Sequence, residues 1–312
     1  MPEPASHTYT ITSEQGAALK QVLQDKQFEF SKLAYGHFTA KRGKCSVNYY
    51  ESGKVTIQGK QFREFIEFTF EPFVLGEARL GYEEELHPDR YEPHFGVDEA
   101  GKGDFFGPLV IAGAYVDRDR ARWLIEMGVK DSKSVGSDKK IADLAKGIRE
   151  LLGRRCTVVK IGPVKYNELY GKFRNLNRLL AWGHAQVIEN LKAVVPACPR
   201  ALSDQFANPK LIENYLKQKK VDIVLDSRTK AESDPAVAAA SILARDAFVS
   251  GLAALGQPWK VELLKGAGAG VKAQAREIYG KQGNAALDAI CKRHFKTYGE
   301  VTGQLPLGEV QE

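Results

Sequence analysis

The stretch His94–Gly113, HFGVDEAGKGDFFGPLVIAG, decides how this chain is read. A short apolar run ends in two adjacent carboxylates, Asp98 and Glu99. The turn Gly101-Lys102-Gly103 and a third acid, Asp104, come next. A second apolar run, Leu109–Val116, begins after Gly107-Pro108. Two strand-like segments therefore flank a tight, charged turn. A dinucleotide fingerprint is excluded, because Gly107 falls one residue late and leads into a strand rather than a helix. No Walker lysine followed by Ser or Thr is present either. What remains is a turn whose backbone N–H groups and Lys102 can approach a phosphate or ribose closely, since glycine removes the steric barrier.

Downstream of that turn, hydrophobic periodicity predicts helices over 118–127 and 138–152 and a strand over 156–161. Helices follow over 163–171 and 176–194, then strands over 200–204 and 221–225, and helices over 235–252 and 271–282. Three consecutive strands followed by strands alternating with helices predict a mixed sheet flanked by helices. Upstream, a strand over 7–11, a helix over 15–24 and a half-buried strand over 28–38 precede the basic turn Lys41-Arg42-Gly43-Lys44. A hairpin, 45–50 and 54–58, and a helix over 61–70 complete a unit of about 70 residues, small but able to fold. The acidic, Pro-containing stretch 72–93 reads as a linker. The expected division is 1–71, a linker 72–93, and 94–312.

Bulk properties narrow the function. A formal net charge of +6 over 312 residues is a mild bias toward polyanions. The four cysteines, Cys45, Cys156, Cys198 and Cys291, show no C-x-x-C spacing, which argues against a zinc ribbon or redox dithiol. They fit a reducing compartment. There is no secretory pattern at the N-terminus and no apolar run near about 18 residues, so the expectation is a cytoplasmic protein without a membrane span.

Four acids of the second part fall at strand ends or helix starts: Asp98, Glu99, Asp204 and Glu232. Carboxylates suit hard cations such as Mg²⁺ and Mn²⁺, and a cluster of them repels itself unless a cation is present. Each also has a plainer reading. Strand alternation puts Asp98 and Glu99 on opposite faces, so one is free to be merely solvated. Asp204 suits a turn and Glu232 a helix start; Asp234, before Pro235, is an N-cap. The segment Lys265–Gly270, rich in glycine before a helix, suits either an anion site or a flexible loop.

Asp98-Glu99-Ala100-Gly101-Lys102-Gly103 with Gly107-Pro108 resembles the signature of the prokaryotic type 2 ribonucleases H. So do Asp131-Ser132-Lys133 and Ala238–Arg245, AAASILAR, and the similarity runs from Phe95 to Tyr298. Within that family the HIII branch is favoured over HII. An N-terminal domain is present, and its Tyr49–Lys54 and Gln58-Gly59 segments resemble a TATA-binding-protein-like substrate-binding domain. The fourth acid is Glu232, where HII usually has aspartate. Gly266-Ala267-Gly268 stands where HII carries a glycine-tyrosine-glycine. The resemblance implies a ribonuclease H-like fold and hydrolysis of the RNA strand of RNA–DNA hybrids, leaving 5′-phosphate and 3′-hydroxyl ends, with two Mg²⁺ or Mn²⁺ ions. Asp98, Glu99, Asp204 and Glu232 match the acidic quartet. Gly101, Lys102 and Gly103 match the turn that reads the RNA backbone and its 2′-hydroxyl. Lys133 and Lys265 are expected near phosphate, and Tyr49 and Lys54 on the N-terminal domain near the hybrid. The partner is the hybrid duplex and the expected state a monomer. The rival readings are HII-like cleavage at single ribonucleotides and a non-catalytic hybrid-binding protein.

Overall fold

The structure is a computed structural model that describes residues 6–76, 87–129, 132, 135–204, 208–228 and 231–308. The chain forms two units, Met1–Asp89 and Arg90–Glu312.

The first unit contains β1 (Ser6–Thr10), α1 (Ser13–Asp25), β2 (Glu29–Ser31), β3 (Gly36–Arg42), β4 (Cys45–Tyr50), β5 (Lys54–Gln58) and a single helical turn α2 (Phe62–Phe65). Helix α1 opens with a reciprocal cap. The Thr12 hydroxyl accepts from the Gln15 N–H at 3.2 Å, and the Gln15 side chain accepts from the Thr12 N–H at 3.0 Å. The single strand expected over 28–38 is two. The chain turns back at Tyr35, whose φ is 58°, and β2 pairs antiparallel with β3. The helix expected to stop at Phe70 continues as a π-helix, Ile66–Leu75, before Gly76 closes it in the left-handed region. The wider winding accommodates Pro72, which has no N–H to give, so the expected linker start at residue 72 lies inside a helix. Residues 77–86 of that linker lie outside the described residues.

The sheet runs β1-β5-β4-β3-β2, all antiparallel. Alternation divides β4 and β5 cleanly. Val47, Tyr49, Val55 and Ile57 are buried with Leu19, Leu23, Ile66 and Phe70. Ser46, Asn48, Tyr50, Lys54 and Thr56 alternate onto the opposite face. Polar pairs cross that face: Thr8 and Thr56 hydroxyls at 3.1 Å, and Thr39 donating to Asn48 at 2.9 Å.

The second unit contains β6 (His94–Ala100), β7 (Leu109–Val116), α3 (Arg118–Glu126), α4 (Asp138–Leu152), β8 (Cys156–Ile161), α5 (Pro163–Phe173), α6 (Leu176–Val194), β9 (Arg200–Asp204), α7 (Lys210–Gln218), β10 (Val224–Arg228), α8 (Pro235–Gly256), α9 (Ala269–Ile290) and α10 (Lys296–Thr302). The sheet order is β10-β9-β6-β7-β8. Strands β6, β7 and β8 are antiparallel, and β9 and β10 continue in parallel, giving the expected mixed sheet. Strand β10 starts three residues later than expected because Val221 still closes α7, its N–H donating to Leu216. Helices α7 and α10 have no counterpart in the sequence reading.

Two hydrophobic layers sandwich this sheet. On one face Val110, Ala112 and Ala114 pack with Ala239, Ile242 and Leu243 of α8. On the other, Phe95, Val97 and Ile111 pack with Leu180, Val187 and Ile188 of α6. Gly96 sets the approach of α8. A Cβ there would stand 2.2 Å from the backbone of Ala236 and Val237. Helix α8 and the turn after it, Pro235–Trp259, are long and on average apolar enough to cross a membrane by composition alone, although Arg245-Asp246 interrupt the apolar run. The first ten residues of the helix, Pro235–Ala244, are buried throughout, as in the core helix of a unit, whereas Arg245 and Asp246 reach toward the surface.

Candidate active site

Strand β6 ends at a cleft of about 640 Å³ bounded by Asp98, Glu99, Gly101–Asp104, Ser132, Ser137, Asp138, Asp204 and Arg245. The alternation expected from spacing is real. Asp98 turns toward the α8 layer, where Ser241 hydrogen-bonds its carboxyl. Glu99 turns toward the α6 layer, where His184 Nε2 stands 3.1 Å from Glu99 Oε2. Both still open onto one cleft because the strand stops there.

Their electrostatics differ accordingly. Burial, reinforced by the negative charges of Glu99 and Asp204, pushes the Asp98 carboxyl up to about 7. Hydrogen bonds from Ser241 and from the Glu99 N–H, the latter at 2.8 Å, oppose that rise without cancelling it. Burial also works against charge on Glu99. The His184 hydrogen bond, the His184 charge and Lys102, 3.7 Å from Oε1, outweigh it and hold Glu99 below the usual carboxylate range.

The remaining acids come from adjacent elements. Asp204 ends β9, the parallel neighbour of β6, and acts on Asp98 electrostatically. Its carboxylate accepts from the Ala231 N–H at 3.3 Å, which ties it to the short turn Ala231–Ser233 carrying Glu232. Asp234 then caps α8 through the N–H groups of Ala236 and Val237, and His94 braces it at 2.9 Å. Glu232 is half-buried and does not line the cleft. Among the described residues no three acidic, His or Cys side chains form a ready metal cage. The donor set nevertheless fits a hard divalent cation. It is all oxygen, and it contains a carboxyl whose proton is held chiefly by burial and further by the neighbouring negative charges, which a cation would offset.

The turn Gly101–Gly103 is anchored from behind. Gly101 has φ 85°, and a Cβ there would meet the Pro108 carbonyl at 2.3 Å, so only glycine fits. Asp104, a residue without a role in the sequence reading, accepts from the Gly266 N–H at 2.6 Å and so joins the two glycine-rich segments. Lys292 is wholly buried. Its ammonium donates to the Asp104 carbonyl at 2.8 Å and its backbone N–H to the Phe105 carbonyl at 2.9 Å. Burial pushes that ammonium down to about 7, against the pull of Asp104.

Other expected residues fare differently. Lys102 lines the cleft. Lys265 pairs with Asp138 on the cleft wall, which also stands 3.9 Å from Arg245. Lys133 lies outside the described residues. Its neighbour Ser132 is described: Ser132 and Ser241 hydroxyls are 2.8 Å apart, so the three sequence motifs meet in one chain ending on Asp98. Lys54 is exposed on the N-terminal sheet. Tyr49, only 7% exposed, packs against His37 and Phe38 inside the N-terminal core, so its ring offers no stacking platform; Tyr50, one residue on, is the aromatic of the open face. Sequence reasoning missed His184, Arg245 and Asp138. For His184 the only signal was a histidine on the apolar stripe of α6, which more often marks packing.

Comparison with known proteins accords with this geometry. Residues 95–298 match the family described as Ribonuclease HII, and residues 7–68 match a domain of unknown function. The chain is 43% identical over 296 residues to Ribonuclease HIII of Protochlamydia amoebophila, covering 95% of this chain and 96% of that one. It is 45% identical over 306 residues to Ribonuclease HIII of Chlamydia pneumoniae, covering 96% and 99%. The chain belongs to the ribonuclease HIII family. Ribonuclease HIII also matches in three dimensions: a crystal structure of Bst-RNase HIII in complex with Mn²⁺ superposes with a TM-score of 0.66 at 27% identity, covering 96% of this chain and 98% of that one. Both ribonuclease HIII relatives span the N-terminal sheet unit as well as the unit that holds the cleft.

Proposed function

We propose that Asp98, Glu99, Asp204 and Glu232 are the catalytic and metal-binding residues of this ribonuclease HIII. The enzyme is a metal-dependent endoribonuclease that hydrolyses the RNA strand of RNA–DNA hybrids. The observation that supports the assignment is the convergence of three separate motifs on Asp98 at one cleft. Two Mg²⁺ or Mn²⁺ ions held by these acids would supply an activated water and a charge for the leaving oxygen. Asp98 and Glu99 at the cleft, with Asp204 beside them and Glu232 on the turn that Asp204 holds, would be the carboxylates to hold the ions. Glu99 keeps its charge beside the 2′-hydroxyl. Gly101 and Gly103 let the RNA backbone approach, with Lys102 beside them. Lys265, Arg245 and Lys133 serve phosphates, and the products carry 5′-phosphate and 3′-hydroxyl ends.

The N-terminal domain, residues 1–71 with the helical extension to Leu75, binds rather than cuts. Its open sheet face, with Tyr50 and Lys54 among small polar side chains, suits backbone contact with a duplex. Residues 94–312 form the catalytic domain. The proposed setting is the cytoplasm, with the protein acting as a monomer.

The test compares a uniform RNA–DNA hybrid with a duplex containing one embedded ribonucleotide, in Mg²⁺ and in Mn²⁺. Cleavage of the hybrid is expected, lost in Asp98→Asn while hybrid binding persists. Cleavage of the single-ribonucleotide duplex alone would overturn the substrate assignment. Normal turnover by Asp98→Asn would remove Asp98 from the chemistry.

A further inference from the structure

We infer that His184 is a positioning residue for the reaction, fixing which oxygen of Glu99 faces the cleft. The inference rests on the catalytic assignment of Glu99 made above.

His184 lies mid-way along α6 on the stripe that packs against the sheet, in line with Leu180, Val187, Ile188 and Leu191. Its side chain is wholly buried. A leucine at this place would bury apolar surface, whereas an imidazole has two nitrogens to satisfy away from water. Both are satisfied, and by the acid-bearing strands. Nε2 stands 3.1 Å from Glu99 Oε2 on β6, and Nδ1 stands 3.0 Å from the hydroxyl of Ser203 on β9. Ser203 is itself wholly buried, adjoins Asp204 in sequence and donates to the Asp204 carbonyl at 3.1 Å. One ring thus bridges the strands that deliver Glu99 and Asp204.

The consequence for Glu99 is an assignment of its oxygens. Oε2 is taken by a donor in the interior, while Oε1 is the oxygen nearer Lys102. A carboxylate anchored in this way presents one oxygen to the cleft in one orientation. Without the imidazole it would rotate and lose that orientation, while Asp98, held from the other layer by Ser241, would be unaffected. Partners that orient a metal-ligating side chain in this manner are typically worth about 10–100-fold in metal affinity or activity.

Two substitutions separate the two bonds. In His184→Gln the amide nitrogen falls near the position of Nε2 and can still donate to Glu99. In His184→Asn it falls near Nδ1, reaching Ser203 but not Glu99. Both variants are polar and of similar size, and thermal melts of the full chain show whether they fold. Mn²⁺ binding is measured by calorimetry on the substrate-free protein, with hybrid turnover measured in parallel. The expected result is a roughly 10–100-fold loss of Mn²⁺ affinity and kcat for His184→Asn with KM for hybrid little changed, and recovery to within a few-fold in His184→Gln. Equal behaviour of the two variants at equal melting temperature would overturn the inference. Adding His184→Asn to Glu99→Gln should cost nothing further, because the acid being positioned is gone; an undiminished loss in that background would also overturn it. If Glu99→Gln alone leaves Mn²⁺ binding and turnover intact, the catalytic assignment of Glu99 fails first and the role of His184 fails with it.

Discussion

Replacing Asp98 with Asn should make the metal-free protein more stable at pH 8. In the native state burial and the neighbouring carboxylates hold the Asp98 carboxyl at about 7, against an ordinary 3.8. A carboxyl whose folded value lies above its unfolded value favours folding only while protonated. Stability is therefore fully present below about pH 4, falls as pH rises through about 7, and stays low above it. The full difference corresponds to roughly 4 kcal/mol, and local relaxation around a buried charge reduces this to about 2. Asn retains the oxygen that accepts from the Glu99 N–H and carries no charge to repel Glu99 and Asp204. For a domain of this size about 2 kcal/mol is a gain of about 4–8 °C in Tm. The assay is a set of thermal melts in EDTA at pH 5, 6.5 and 8, with and without added Mn²⁺. The gain should be largest at pH 8 and shrink toward pH 5. Mn²⁺ should raise the Tm of the wild type much more than that of the variant. A variant no more stable than wild type at pH 8, or equally stabilised at pH 5, would refute the reasoning that the acids are held together at a cost.

Gly96→Ala should destabilise by at least the roughly 1–3 kcal/mol typical of overpacking and so lower Tm, because the added methyl would meet the α8 backbone rather than a movable side chain; an unchanged Tm would show that α8 can retreat freely. Tyr50→Ala should weaken hybrid binding with little change in melting, whereas Tyr49→Ala should destabilise by several kcal/mol through lost core packing; paired binding titrations and melts distinguish them. Lys292 has a folded value near 7, below its ordinary 10.5, so its burial costs stability fully below pH 7 and progressively less as pH rises toward 10. Denaturant titrations should therefore show stability rising less between pH 7 and 10 in Lys292→Met than in the wild type. Deleting residues 1–75 should weaken hybrid binding and flatten its salt dependence by removing phosphate contacts; an unchanged slope would leave that domain without an electrostatic role.

The elements that carry strong periodicity or sharp punctuation were legible in the sequence. Strand β7 and helices α4 and α6 fall where spacing put them, since buried strands and capped amphipathic helices declare both their type and their ends. The break between β2 and β3 was not legible, because the positive φ falls on Tyr35 rather than on the adjacent Gly36. Nor was the π-helical continuation past Pro72, which local propensity argues against. Asp98 and Glu99 stood out as a pair, but their different environments did not, because Ser241 and His184 come from helices far away in sequence. Tyr49 and Tyr50 are chemically alike and adjacent. Only the register of β4 decides which one faces the core.

The placement of Asp98 and Glu99 on opposite faces of β6 has a consequence for refolding. A slip of β6 by one residue against β7 and β9 would send each carboxylate to the opposite layer and leave at most one of them beside the other's donor. Such a molecule would keep its helices, its compactness and much of its circular dichroism while its acids faced the wrong partners. Specific activity after refolding therefore counts correctly registered chains, and a shortfall of activity relative to recovered secondary structure would measure strand mispairing directly.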